Sequence, residues 1–158
     1  MIPFPAALQA PAPAEAGPLR AQYAWGYVGA DGEGKGTLNL LLDPASGEVV
    51  LELQGVGERL MLLKGDTASG YHLQVPRRGL DVRSPDLKGL PLPFLPEVRS
   101  LAALLALVSE GAGPGVKVSR RDRQGPVKLR YQGRDEQGKD VHVWLERKVW
   151  QPAAASVR

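Results

Sequence analysis

A chain of 158 residues, 43% of them apolar and 23% charged, is long enough for one domain with its own core. It has no cysteine, which excludes a disulfide framework, a thiolate metal centre, a thiol nucleophile and a lipidated cysteine. The net charge of +3 is uneven: residues 1–98 hold 8 Lys and Arg against 11 Asp and Glu, a net −3, and residues 99–158 hold 12 against 6, a net +6. Any attraction to nucleic acid or anionic lipid therefore belongs to the C-terminal third; the same charges also serve as a solvated face that resists aggregation.

Met1 to Gly17 is rich in Ala and Pro, and the first basic residue is Arg20. Ala7-Leu-Gln-Ala10 followed by a Pro/Ala run is similar to the end of a signal peptide without its charged start, and it equally reads as a disordered linker. The expected organisation is a disordered segment over 1–17, one domain over 18–150 and a flexible tail over 151–158. With a signal peptide upstream the protein is expected in the periplasm or cell envelope, and otherwise in the cytoplasm. No run approaches the 18 or so apolar residues of a membrane-spanning helix.

From Leu19 the pattern is alternating, and side chains alternate across a strand. Leu19, Ala21, Tyr23, Trp25 and Tyr27 share one face of the first predicted strand. Leu38, Leu40 and Leu42 mark a second, and Val49, Leu51 and Leu53 a third. Leu60 and Leu62 mark a fourth, and Tyr71, Leu73 and Val75 a fifth. Turn residues separate them: Gly29 to Gly32, Asp43-Pro-Ala-Ser-Gly47, Gly55 with Gly57, and Gly65 to Gly70. A shorter sixth strand is expected over Leu80 to Arg83. Spacings near ten residues predict successive hairpins with one shared apolar concavity.

Leu90-Pro-Leu-Pro-Phe-Leu-Pro96 breaks the pattern, because its three prolines cannot donate to a ladder. It reads as an apolar loop, either a structural plug or a lid over an open mouth. Leu101, Leu104, Leu105 and Val108 then recur at helical spacing, with Ser100 as N-cap and Gly111 after the last turn. Three more strands are expected at 116–121, 127–134 and 141–149, the last two a hairpin around Asp135 to Gly138. In total the reading is a mainly β protein of about nine strands: a curved, incompletely closed antiparallel half-barrel with one helix and a Pro-rich lid loop.

Catalytic patterns are weak. His72 and His142 fall on separate strands on the polar face, with no second ligand at metal spacing, and no metal or other cofactor is expected. Ser46, Ser69, Ser84 and Ser119 lack a nucleophile-elbow context. Asp31 with Glu33, and Asp135 with Glu136, are turn acids without the enclosed pair that glycosidic chemistry needs. The Gly29 to Gly36 run lacks the Lys-Ser/Thr ending of a phosphate loop and precedes a strand, so it reads as a loose hairpin. The basic strands, with Lys117, Arg121, Lys128 and Arg130 beside His142 and Trp144, allow a nucleic-acid-binding sheet, though with one strong stacking residue.

Leu51 to Asp66, with two strands around a glycine turn, resembles the bacterial lipoprotein carriers of the LolA/LolB type. Trp25-Gly-Tyr-Val followed by Gly36-Thr-Leu-Asn-Leu40 is similar to their opening hairpin, Leu90 to Phe94 with the helix after it to their lid, and Val127 to Trp150 to their closing strands. The resemblance spans about 130 residues and is one of rhythm and a few anchor positions. It implies an unclosed barrel that binds acyl chains of lipoproteins in transit. On that reading the protein is a non-catalytic carrier of an acyl chain or lipoprotein. The expected lining is Tyr23, Trp25, Tyr27, Leu38, Leu40, Leu51, Leu53, Leu62, Leu92, Phe94 and Leu104. Lys117, Arg121, Lys128 and Arg130 are expected to meet anionic headgroups, a membrane surface or a partner. The alternatives are the nucleic-acid-binding sheet and an envelope scaffold protein with a solid core.

Overall fold

The computed structural model describes residues 17–152 apart from Asp31 and Glu136. The segment expected to be disordered lies outside the described residues up to position 16, and the expected tail lies outside them from position 153. Nine antiparallel strands form one open sheet. They are β1 (Leu19–Gly29), β2 (Gly32–Asp43), β3 (Glu48–Gln54), β4 (Arg59–Asp66), β5 (Gly70–Val75), β6 (Leu80–Ser84), β7 (Val116–Asp122), β8 (Gly125–Arg134) and β9 (Asp140–Pro152). A helix, α1 (Leu101–Glu110), follows β6, and short 3-10 turns occupy Pro76–Arg78 and Leu87–Gly89.

The strand order is β6-β5-β4-β3-β2-β1-β9-β8-β7. Hairpins build the two flanks, one from β1 to β6 and the other from β7 to β9. The flanks join where the first strand meets the last, from Leu19 opposite Pro152 to Val28 opposite His142. The final strand therefore reaches two residues past the boundary expected at 150, and Gln151 pairs with Arg20.

The turns follow their residues. The Gly47 amide donates to the Asp43 carbonyl at 2.8 Å, and Gly47 takes the left-handed φ of 74° that closes this turn. The Asp135 turn is closed by its own backbone, its amide donating to the Lys139 carbonyl at 2.9 Å. Helix α1 begins at Ser100, whose Oγ accepts from the Ala103 amide at 3.0 Å. It ends at Gly111, φ 71°, whose amide and that of Ala112 cap the Leu107 and Ala106 carbonyls.

One face of the sheet is predominantly apolar. Leu19, Ala21, Tyr23, Trp25, Tyr27, Leu38, Leu40, Leu42, Val49, Leu51 and Leu53 are all buried. Burying one Leu or Val side chain is worth about 1.5–3 kcal/mol, so this face drives the curvature around its own contents. Those contents are Leu87, Leu90, Leu95, Val98 and the Leu104, Leu107 and Val108 side of α1. Leu107 is buried where the spacing pointed to Leu101 and Leu105, which are partly buried.

Strand β4 runs in the opposite phase to the expected one. Met61 and Leu63 face the core with no exposure, and Leu62 sits on the outer face, opposite Glu52 and Gln74. The cause is a bulge: Leu53 pairs with Met61 but Gln54 pairs with Arg59, leaving Leu60 unpaired. Leu60 remains buried. Leu62 is thus no lining residue. A second bulge lies on β9, where Gln22 pairs with Val149 and Tyr23 with Arg147. Arg147 faces inward in phase with Val143 and Leu145, and the shift at Lys148 turns Trp150, rather than Val149, toward the inner face.

Candidate functional site

Of the eleven residues expected to line a cavity, ten meet around the concavity. Tyr23, Trp25 and Tyr27 come from β1, Leu38 and Leu40 from β2, Leu51 and Leu53 from β3 and Leu104 from α1, all buried. Leu92 and Phe94 are partly buried and pack against this core from the Pro-rich segment. Leu62 is the exception, for the phase reason given above.

The concavity is filled. What remains inside is a void of about 30 Å³, bounded by Tyr23, Leu38, Leu51, Leu63, Leu104 and Leu145 among others, with purely apolar walls. That is about the space one water takes up in the liquid, and there is no polar wall to hold one. The Pro-rich segment and α1 act as the plug.

At the mouth the packing is aromatic. Trp25 stacks on Tyr27 at 6.1 Å, and Phe94 meets Tyr27 edge-on at 5.1 Å. The Trp25 indole N–H donates to the Phe94 carbonyl at 2.9 Å, and the Arg78 guanidinium lies 4.8 Å above the Phe94 ring. Phe94 has φ 69°, and among the described residues it is the one non-glycine in the left-handed region. Such a conformation costs about 1–3 kcal/mol and persists when surroundings impose it. The indole hydrogen bond, the tyrosine and the arginine are those surroundings.

The glycine run before Leu38 has its explanation here. Gly34 and Gly36 belong to β2, on the same face as Leu38, opposite Tyr27 and Trp25. A Cβ on Gly34 would come within 3.3 Å of the Trp25 indole, and one on Gly36 within 1.8 Å of the Gln54 carbonyl oxygen. The glycines clear the floor on which Trp25 rests and let β2 approach Gln54.

Outside the aromatic cluster lies an open cavity of about 850 Å³, between the Pro-rich segment, Leu80 of β6 and the ends of β8 and β9 at Tyr131 and Val141. Its rim carries Arg78, Lys88, Arg99 and Arg134 against Glu97 and Asp135. Arg99 is paired with Glu97 at 2.5 Å. Burial raises the Tyr131 phenol above its ordinary range, and the nearby Glu97 carboxylate adds to the rise. The size is that of small-molecule sites in general.

Two polar groups intrude on the inner face. Arg147, its side chain 6% exposed, is paired with Asp122, donates to the Pro126 carbonyl at 3.2 Å and stacks on Trp150 at 5.3 Å. The turn amide of Gln124 holds the Asp122 carboxyl below its usual range, with Arg147 assisting. Tyr23 is different. Among the described residues its Oη is the buried side-chain polar atom without a hydrogen-bond partner, whereas the buried Tyr71 hydroxyl donates to the Gly47 carbonyl at 2.7 Å. Burial pushes the Tyr23 phenol up to about 12, against the opposing pull of Arg147.

Of the expected headgroup residues, Lys117, Lys128 and Arg130 are exposed on the outer face of β7 and β8, on the side of the sheet opposite the concavity. Arg121 stands apart from them at the far end of β7 and donates to the Glu110 carbonyl at 3.2 Å, at the C-terminus of α1. His72 bonds to Asp81 on the outer face, and among the described residues no three His, Asp or Glu side chains gather as a metal site would require. No helix of the described residues is long and apolar enough to cross a membrane.

Sequence reasoning missed Met61, Leu63, Arg147 and the Tyr27–Phe94–Arg78 stack. For Met61 and Leu63 the signal was present: Lys64 shares parity with Leu60 and Leu62, so an inward Leu62 would have carried Lys64 inward. No family model matches the chain, and no curated protein is similar to it in sequence.

Proposed function

We propose that the protein is a non-catalytic carrier that takes an acyl chain, from a lipid or a lipoprotein, into the concavity of its half-barrel. The observation that carries this reading is the closure of a predominantly apolar concavity by a segment held at one strained residue, Phe94. A solid core closed by regular helices and ladders would have no use for strain at its mouth. Here the strained residue joins the outer cavity of about 850 Å³ to the plugged interior. The chain enters the outer cavity first, against Tyr27, Leu92 and Phe94, and its methylenes displace the Pro-rich segment. Each buried methylene contributes about 0.8 kcal/mol, and release of the Phe94 backbone adds to this. The resemblance to lipoprotein carriers points the same way, toward an envelope location.

Native mass spectrometry of protein purified from its host without detergent, followed by lipid analysis, tests the reading. Co-purified acyl chains in near-stoichiometric amount support it. So does uptake of a fluorescent fatty acid that resists salt and is lost in Phe94→Asp. A clean apo mass with no uptake refutes it. The small residual void then favours the second reading, a scaffold protein with a solid core.

A further inference from the structure

The outer face of the sheet carries an arrangement that the interior does not use. Strand register sets Lys35 of β2 beside Gly26 of β1, Gly26 beside Trp144 of β9, Trp144 beside Arg130 of β8, and Arg130 beside Lys117 of β7. The five residues form one outward row across five strands. At about 4.8 Å per strand the row is about 19 Å long. Its ends are cationic and its centre is not. Trp144 is 41% exposed and rests beside bare Gly26, where a Cβ would come within 3.5 Å of the indole. His142 stacks on Trp144 at 6.0 Å and 19°, and Val28, opposite His142, is 40% exposed. A shallow depression of about 360 Å³ runs from the indole past Lys128 and Glu146.

We propose that this row docks the protein on an anionic lipid bilayer, with Trp144 and Val28 at headgroup depth and Lys35, Arg130 and Lys117 on lipid phosphates. Three observations select this occupant. Cations flank an apolar centre on both sides, which matches an apolar interface overlaid with negative charge. An indole is the side chain most at home at that depth. A single nucleic-acid strand stacks successive bases on successive rings, whereas this row offers one indole, already stacked on a histidine, and an aliphatic neighbour on which no base stacks. The patch also adjoins the mouth: Tyr27 and Val141, next to Val28 and His142 in the chain, line the outer cavity. A bilayer against this face has the mouth at its margin. The docking does not depend on what the interior holds.

The test is flotation of the whole protein with vesicles of phosphatidylglycerol and phosphatidylcholine, against vesicles of phosphatidylcholine alone. Each cation at an anionic surface is worth about fivefold in partitioning. Lys117→Glu with Arg130→Glu is expected to lower binding to the anionic vesicles by about 25-fold or more, and Trp144→Ala severalfold. Lys64→Glu with Arg83→Glu makes the same change in net charge on the outer face of β4 and β6 and is expected to leave binding within about twofold. All these side chains except Trp144 carry only exposed charge, and circular dichroism confirms that each variant is folded. Equal losses in the two charge-reversal pairs would overturn the proposal in favour of net charge alone. So would a lack of preference for anionic vesicles, or tighter binding of a single-stranded oligonucleotide through Trp144 and Arg130.

Discussion

Replacing Tyr23 with Phe is expected to stabilise the protein. The phenol is 1% exposed and its hydroxyl has no partner. A buried hydroxyl without a hydrogen bond costs about 1–3 kcal/mol, and a deleted oxygen leaves behind only a small gap. The net gain should be about 1 kcal/mol, or about 2–4 °C in Tm for a chain of this size. The effect should grow in alkali. The folded-state pKa of about 12 lies above the ordinary 10.0, so the phenol's contribution is intact below pH 10 and is lost as pH rises toward 12, because the unfolded chain releases the proton first. At pH 11 the wild type should lose about 1.4 kcal/mol through this group, and the variant nothing. Urea unfolding of both proteins at pH 8 and pH 11, followed by circular dichroism, measures the difference. The other tyrosines and the lysines are common to both and cancel. A variant less stable than wild type by 1 kcal/mol or more would show that the hydroxyl is bonded, and that the interior is wet at that point. An equal gap at the two pH values would show that the phenol titrates normally.

Trp25→Phe removes the hydrogen bond to the Phe94 carbonyl and keeps an aromatic ring. Amide exchange in residues 92–98 should accelerate at least tenfold, while exchange in β3 and β5 stays unchanged. Gly36→Ala puts a methyl 1.8 Å from the Gln54 carbonyl oxygen, and the strands must part. A loss of about 1–3 kcal/mol in a denaturant titration is expected. Ser100→Ala removes the acceptor for the Ala103 amide and should cost about 1 kcal/mol by the same titration, with Ser100→Asp restoring most of it.

Much of this fold was legible because most strands have a clear phase. Leu38, Leu40 and Leu42 alternate with polar or less buried neighbours, and Val49, Leu51 and Leu53 do the same, so only one face can be buried. The proline and glycine turns, the Ser100 cap and the Gly111 stop each follow from one residue's backbone chemistry. Leu60-Met-Leu-Leu63 taken alone fits either phase; Lys64 breaks the tie in favour of Met61 and Leu63, and the bulge at Leu60, which buries that residue as well, was not legible. Arg147 has the parity of Val141, Val143 and Leu145, so alternation alone places it inward; its charge argued against that, and its partner Asp122 lies 25 positions away. Trp150 was illegible because a bulge at Lys148 resets parity, and nothing in a basic stretch announces one. The aromatic mouth depends on residues 69 positions apart, Trp25 and Phe94, and no local pattern carries that distance. Nor does local pattern reveal that Lys35 and Lys117 end one row, since that follows from the meeting of β1 with β9.

That meeting also decides the order in which the molecule can be made. Strand β1 emerges first from a ribosome or a translocation pore, and its partner β9 emerges last, with more than a hundred residues between them. Until then the edge of β1 is bare, and the apolar face of β1 to β6 has only part of its cover. Such long-range pairing is slow to find and exposed to wrong partners while it waits. The chain thus spends its synthesis as an open flank, and the sheet is complete only when its last thirteen-residue strand covers the edge of β1.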